Sequence, residues 1–99
     1  MYANIILIFM KNEFQNRLIY RSWHRGTKEL DLILGNFISD NINQMSEDEV
    51  TEFEALLNSE DPDIYKWIVK FEVPNDKSLN DIIIKIREYL KDNQINVLS

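Results

Sequence analysis

Thr27-Lys28-Glu29-Leu30-Asp31-Leu32-Ile33-Leu34-Gly35-Asn36-Phe37-Ile38-Ser39-Asp40-Asn41-Ile42-Asn43 decides the fold. Leu30, Ile33, Leu34, Phe37, Ile38 and Ile42 recur at i, i+3, i+4, i+7 and i+8, the spacing of one helical face. The spacing predicts a helix from about Lys28 to Asn43, with Thr27 as its N-cap. Gly35 within it sacrifices about 1 kcal/mol of helix propensity against Ala, which points to close packing of another helix there.

Helical signals continue on both sides. Upstream, Asn12 reads as an N-cap, Phe14, Leu18, Ile19, Ser22 and Trp23 line one face, and Arg17, Arg21 and then His24 or Arg25 line the other. Gly26 reads as the C′ residue that stops this first helix. Downstream, Ser46-Glu47-Asp48-Glu49 is a capping box, with Met45 and Val50 at the staple positions. The third helix then buries Val50, Phe53, Leu56 and Leu57. Asp61-Pro62-Asp63 opens a fourth, with Asp61 as N-cap and Pro62 at N1. Its apolar side is Ile64, Tyr65, Trp67, Ile68 and Phe71, and Pro74 ends it. Ser78 caps a fifth helix that buries Leu79, Ile82, Ile83, Ile86, Tyr89 and Leu90. No alternating pattern long enough for a sheet occurs. The expectation is an all-α protein, a compact bundle of about five short helices. Residues 11–93 form the single domain, residues 1–10 an apolar N-terminal extension and residues 94–99 a frayed tail.

Composition narrows the function. The chain has 99 residues and no cysteine, so disulfides, thiolate metal sites and thiol nucleophiles are excluded. His24 is the single histidine and has no triad partner in view. Two glycines cannot build a phosphate-cradling or dinucleotide-binding loop. No metal site is expected. The acidic stretch at 47–54 lacks the glycine and ligand spacing of a calcium loop. The chain reads as a non-enzyme that works through a binding surface.

Charge is unevenly spread. Residues 1–28 hold five basic residues against Glu13 alone, a balance of +4, whereas residues 29–99 hold six basic and sixteen acidic residues, a balance of −10. So acidic a body argues against nucleic-acid binding, which needs a broad positive surface. The apolar run Ile5-Ile6-Leu7-Ile8-Phe9-Met10 falls far short of the roughly 20 residues that span a bilayer, and it lacks signal- and transit-peptide features. It reads as a flap over apolar surface or as residues ahead of a true start at Met10. A membrane or dimer anchor is the functional alternative. Stable membrane insertion is not expected, a monomer is, and the location expected is a bacterial cytoplasm.

The most informative segment is Arg25-Gly26-Thr27-Lys28-Glu29, followed by Leu30-Asp31. Read by itself it is either a helix–Gly–helix corner with a surface salt bridge or a polar docking patch. In the second reading Arg25 offers a planar fork to a partner's carboxylate or carbonyls, Glu29 accepts, and Gly26 lets another backbone come close.

In order along the chain, Arg25-Gly-x-x-Glu29, Met45-Ser46-Glu47-Asp48-Glu49, Leu56-Leu57 and Asp61-Pro62-Asp63-Ile64-Tyr65-Lys66-Trp67 resemble the SdhE-type FAD assembly factors of succinate dehydrogenase. The resemblance covers about residues 17–90. It implies a five-helix bundle with a chaperone-like role. Its partner would be the immature flavoprotein subunit of succinate dehydrogenase, and often of fumarate reductase, whose covalent FAD attachment it promotes. By that resemblance the FAD belongs to the partner and is not held tightly by this chain. Arg25, Gly26 and Glu29 would form the centre of the docking surface, with Asp31, Arg21 and Arg17 at its rim. His24 stands where many members carry Arg, which lowers local charge and would make docking respond to pH near the imidazole range. Residues 1–9 have no counterpart in the resemblance. The competing reading is a general protein-interaction module or antitoxin-like regulator without a flavin role.

Overall fold

Leu30, Ile33, Leu34, Phe37 and Ile38 are all at most 1% exposed, so the face that decides the fold is also its centre. The computed structural model describes residues 2–93, with side chains from Met10 onward. Five helices occur among the described residues: α1 (Tyr2–Trp23), α2 (Lys28–Asn41), α3 (Glu47–Leu57), α4 (Asp61–Ile68) and α5 (Asn80–Asp92). Short 3-10 turns at Ile42–Gln44 and Lys77–Leu79 follow α2 and precede α5. There is no strand among the described residues. The all-helical expectation holds. The tail at 94–99 lies outside the described residues.

One core gathers Leu18 from α1, the α2 face, Phe53, Leu56 and Leu57 from α3, Ile64 and Ile68 from α4, and Ile82, Ile83 and Ile86 from α5. Phe37 stacks on Phe53 at 5.7 Å between ring centroids and meets the edge of Tyr89 at 5.5 Å. Such aromatic pairs add about 0.5–1.5 kcal/mol beyond area burial. The Tyr89 hydroxyl donates to the Asp40 carboxylate, which ties α5 to α2.

α1 and α2 make the most extensive helix pair, and Gly35 is the reason they can. A Cβ at Gly35 would overlap the indole of Trp23. The Trp23 Nε1–H donates to Ser39 Oγ at 3.1 Å. Ser22, fully buried, donates to the Leu18 carbonyl at 2.7 Å and so enters the interface without an unpaired hydroxyl.

Several local expectations hold. Thr27 caps α2, accepting from Leu30 N–H at 3.3 Å. Ser46 and Glu49 close the capping box at the start of α3. Others are corrected. Asn12 is no cap, because α1 is one continuous helix of 22 residues running through it. α1 stops at Trp23, so Gly26 lies three residues beyond its end, not immediately after it. α2 ends its α-helical turns at Asn41 and tightens to 3-10 geometry over Ile42–Gln44. Glu60, not Asp61, occupies the N-cap of α4, and Pro62 sits one place later than N1. α4 ends at Ile68, well before Pro74. Ser78 does not cap α5. It lies inside the 3-10 turn, where its N–H and hydroxyl donate to Asp76 and hold that carboxylate below its ordinary pKa.

Phe71 is a further correction. It is 68% exposed, in a left-handed conformation with φ +57°, and outside the core. The Arg87 guanidinium lies 4.9 Å from its ring centroid. Arg87 also donates to the carbonyls of Trp67 and Glu72. The segment after α4 is thus gripped from α5.

Candidate functional site

The corner between α1 and α2 is built around Arg25. Its side chain is only 14% exposed. Nε donates to Asp61 Oδ1 at 2.9 Å, Nη1 to the Leu57 carbonyl at 2.5 Å, and Nη2 to the Ser59 carbonyl at 2.8 Å. Nη2 also lies 2.8 Å from Asp61 Oδ1, an ion pair whose carboxylate is 26% exposed. The carbonyls at the end of α3 have no intrahelical partner and carry the negative end of its dipole. A guanidinium fork suits that place in charge and geometry. In this structure the Arg25 fork is filled from within the chain.

The neighbouring candidates divide into those drawn into this arrangement and those left outside. Asp31, half-buried, accepts the Arg25 backbone N–H at 2.6 Å and closes the turn from the α2 side. Arg21 Nη2 donates to Asn58 Oδ1 at 2.9 Å, so it too serves the α3–α4 turn. Gly26 has φ +106°, a conformation that side chains strain to adopt. Space is not the limit there, since an added Cβ would meet only Asp61 Oδ2 at 3.8 Å. Glu29 is exposed in the first turn of α2. Arg17 is exposed on α1, two turns from the corner. His24 is exposed, donates from Nδ1 to the Tyr20 carbonyl at 2.7 Å, and stacks on Tyr20 at 4.0 Å.

Beside the corner lies an open groove of about 840 Å³ between the start of α2 and the outer side of α4. Leu30, Pro62 and Tyr65 give it an apolar floor, and Glu29, Lys66, Lys70 and Glu72 stand at its rim. The ion pairs among the described residues are Arg25–Asp61 and Lys85–Glu49, so among those residues the rim charges have no ion-pair partner. Charges left unpaired around an apolar depression are the ordinary makings of a recognition surface. Tyr65 and Lys66 were not legible as site residues, because helical periodicity assigns Tyr65 to the core. Asp61 read as a cap. Its pairing with Arg25 needs the topology, although both belong to the ordered motif set.

Among the described residues no group of three or more His, Asp or Glu is placed to hold a metal ion, and no helix is long and apolar enough to cross a membrane.

The family model described as flavinator of succinate dehydrogenase matches residues 16–90. The chain is 42% identical over 79 residues to succinate dehydrogenase assembly factor 2, mitochondrial, of Arabidopsis thaliana, covering 79% of this chain and 42% of that protein. It is 35% identical over 86 residues to the protein of the same name in Candida glabrata, covering 83% and 56%. It is 37% identical over 78 residues to FAD assembly factor SdhE of Legionella pneumophila (strain Lens), covering 79% and 96%. The chain thus spans about half the length of the mitochondrial relatives and nearly all of the bacterial one. No solved structure matches it. With both halves of the motif set meeting at one corner of a five-helix bundle, and with the family model covering that whole stretch, the chain belongs to the flavinator of succinate dehydrogenase family.

Proposed function

We propose that this chain is an assembly factor that docks onto the immature flavoprotein subunit of succinate dehydrogenase, and of fumarate reductase where present, and promotes covalent attachment of FAD to that subunit. The observation that carries the reading is the meeting of the Arg25–Glu29 and Asp61–Trp67 segments beside a groove with unpaired rim charges. The names of the relatives support it.

The chain's contribution is stabilisation, not chemistry. It has one histidine and no cysteine, little material for nucleophilic catalysis. Bond formation requires the partner's acceptor side chain and the flavin ring to be held in near-attack geometry. A docked bundle favours that arrangement if it binds it better than the alternatives. FAD stays with the partner in this reading. With two glycines, neither in a phosphate-cradling loop, the chain is poorly equipped to hold a dinucleotide itself. A single copy per flavoprotein subunit suffices, and no membrane contact is needed.

The test is co-expression of the flavoprotein subunit with and without this chain, in a host lacking its own factor, with covalent flavin read by in-gel fluorescence after denaturation. Fluorescence that depends on the chain supports the reading. Equal fluorescence without it leaves only a general interaction module.

A further inference from the structure

We infer a division of labour within the Arg25–Glu29 motif. Arg25 is a positioning residue that holds α4 beside α2 through Asp61 and the α3–α4 turn, and the partner is received in the groove so formed, against Glu29, Tyr65 and Lys66. The inference rests on the docking reading above and assigns the surface that reading uses.

Three observations carry it. First, the Arg25 guanidinium is satisfied by the Leu57 and Ser59 carbonyls and by Asp61, at 2.5 to 2.9 Å, with 14% of the side chain exposed. A partner could reach this fork only by displacing acceptors already in place. Second, Asp61 belongs to both structures: it receives Arg25 and it lines the groove. Moving Asp61 moves Pro62 and the first turn of α4, which form one wall. Third, Glu29, Lys66, Lys70 and Glu72 line the same groove, and none of them makes an ion pair among the described residues.

The occupant follows from the lining. Leu30, Pro62 and Tyr65 give the groove apolar lining, and Glu29, Glu72, Lys66 and Lys70 give it both signs of charge. That pattern fits a segment of the flavoprotein subunit that inserts an apolar side chain, with a cationic residue facing Glu29 and a carboxylate facing Lys66 and Lys70. The mixed-sign rim disfavours a free polyanion such as a nucleotide.

Affinity of the purified flavoprotein subunit for the intact chain, measured by calorimetry, tests this with Arg25→Gln, Asp61→Asn, the two together, Glu29→Gln and Lys66→Glu. Hydrogen exchange of residues 57–61 is followed in parallel. A latch and a groove predict that Arg25→Gln and Asp61→Asn each weaken binding about tenfold, that the pair weakens it no further, and that both speed exchange at the turn. Glu29→Gln and Lys66→Glu should weaken binding by about tenfold with exchange unchanged. Losses that multiply in the double variant, or an Asp61→Asn that binds normally while Arg25→Gln does not, would mean that Arg25 touches the partner and would overturn the inference. Should Arg25→Gln fail to fold, Arg25→Lys takes its place in the cycle. Absence of binding by the wild-type chain would overturn the docking reading and the occupant with it, leaving the latch to be judged on the exchange of the turn alone. Binding of FAD to the free chain that Lys66→Glu abolishes would overturn the choice of a protein occupant.

Discussion

Arg25 and Asp61 stand 36 positions apart in sequence, and their charged groups lie 2.8 Å apart in the fold. The pair joins the turn after α1 to the start of α4, and the same guanidinium closes the carbonyls of Leu57, at the end of α3, and of Ser59, in the turn after it. Removing it leaves a partly buried carboxylate and two carbonyls without their donor. Arg25→Ala should lower the free energy of unfolding by about 2–4 kcal/mol. Arg25→Lys should recover only part, because an ammonium cannot reproduce the planar fork. Urea denaturation followed by circular dichroism measures both. A loss within about 0.5 kcal/mol, the range of an unremarkable surface change, would show that the latch bears no weight.

The two glycines resist substitution for different reasons, and the difference can be measured. Gly35→Ala places a methyl group against the Trp23 indole and should destabilise by about 1–3 kcal/mol through overpacking. Trimming the ring by Trp23→Leu should reduce that increment in a double-mutant cycle. Gly26→Ala meets no atom closer than 3.8 Å. Its penalty, about 1–3 kcal/mol, comes from the positive φ and should be unaffected by Trp23→Leu.

The capping box gives a smaller and more local effect. Ser46 Oγ accepts from Glu49 N–H at 3.1 Å, and Glu49 accepts from Ser46 N–H at 3.0 Å. Ser46→Ala should cost about 1 kcal/mol, visible as a lowered urea midpoint with an unchanged slope.

Tyr89 sets the alkaline limit of one contact. Desolvation, reinforced by the hydrogen bond to Asp40 and its charge, raises the phenol from the ordinary 10.0 to about 12. The folded state therefore holds this proton more tightly than the unfolded chain. Its contribution to stability is complete below pH 10 and is lost as pH rises from there through about 12. Tyr89→Phe should flatten the fall in stability over that window, as read by urea midpoints collected across it.

Much of the fold was legible in sequence because local rules and global packing agree. The α2 face, Thr27 and the Ser46–Glu49 box each combine a spacing with a chemical cap, and each occupies its expected place. The failures arise where one residue can satisfy two demands. Asp61 is an eligible cap, but Glu60 takes that position and Asp61 answers Arg25 from across the chain. Phe71 continues the apolar spacing of α4, yet the helix has already ended and the ring lies under Arg87 in the solvent. Asn12 has cap chemistry but sits within a helix. The Arg25–Glu29 segment was visible as residues, but not the partner that each side chain takes. Which side chain faces inward at Arg25-Gly-x-x-Glu29 depends on the distant turn that meets it.

α4 has eight residues, too few to persist as a helix by itself. Two arginines bracket it: Arg25 fastens the turn before it, and Arg87 holds the Trp67 and Glu72 carbonyls at its far end. The second fastener lies on the last helix described. During vectorial synthesis the groove wall can become rigid only after α5 has left the ribosome and packed. On the docking role proposed above, a half-made chain lacking α5 would then be silent, and only a closed bundle would receive the partner.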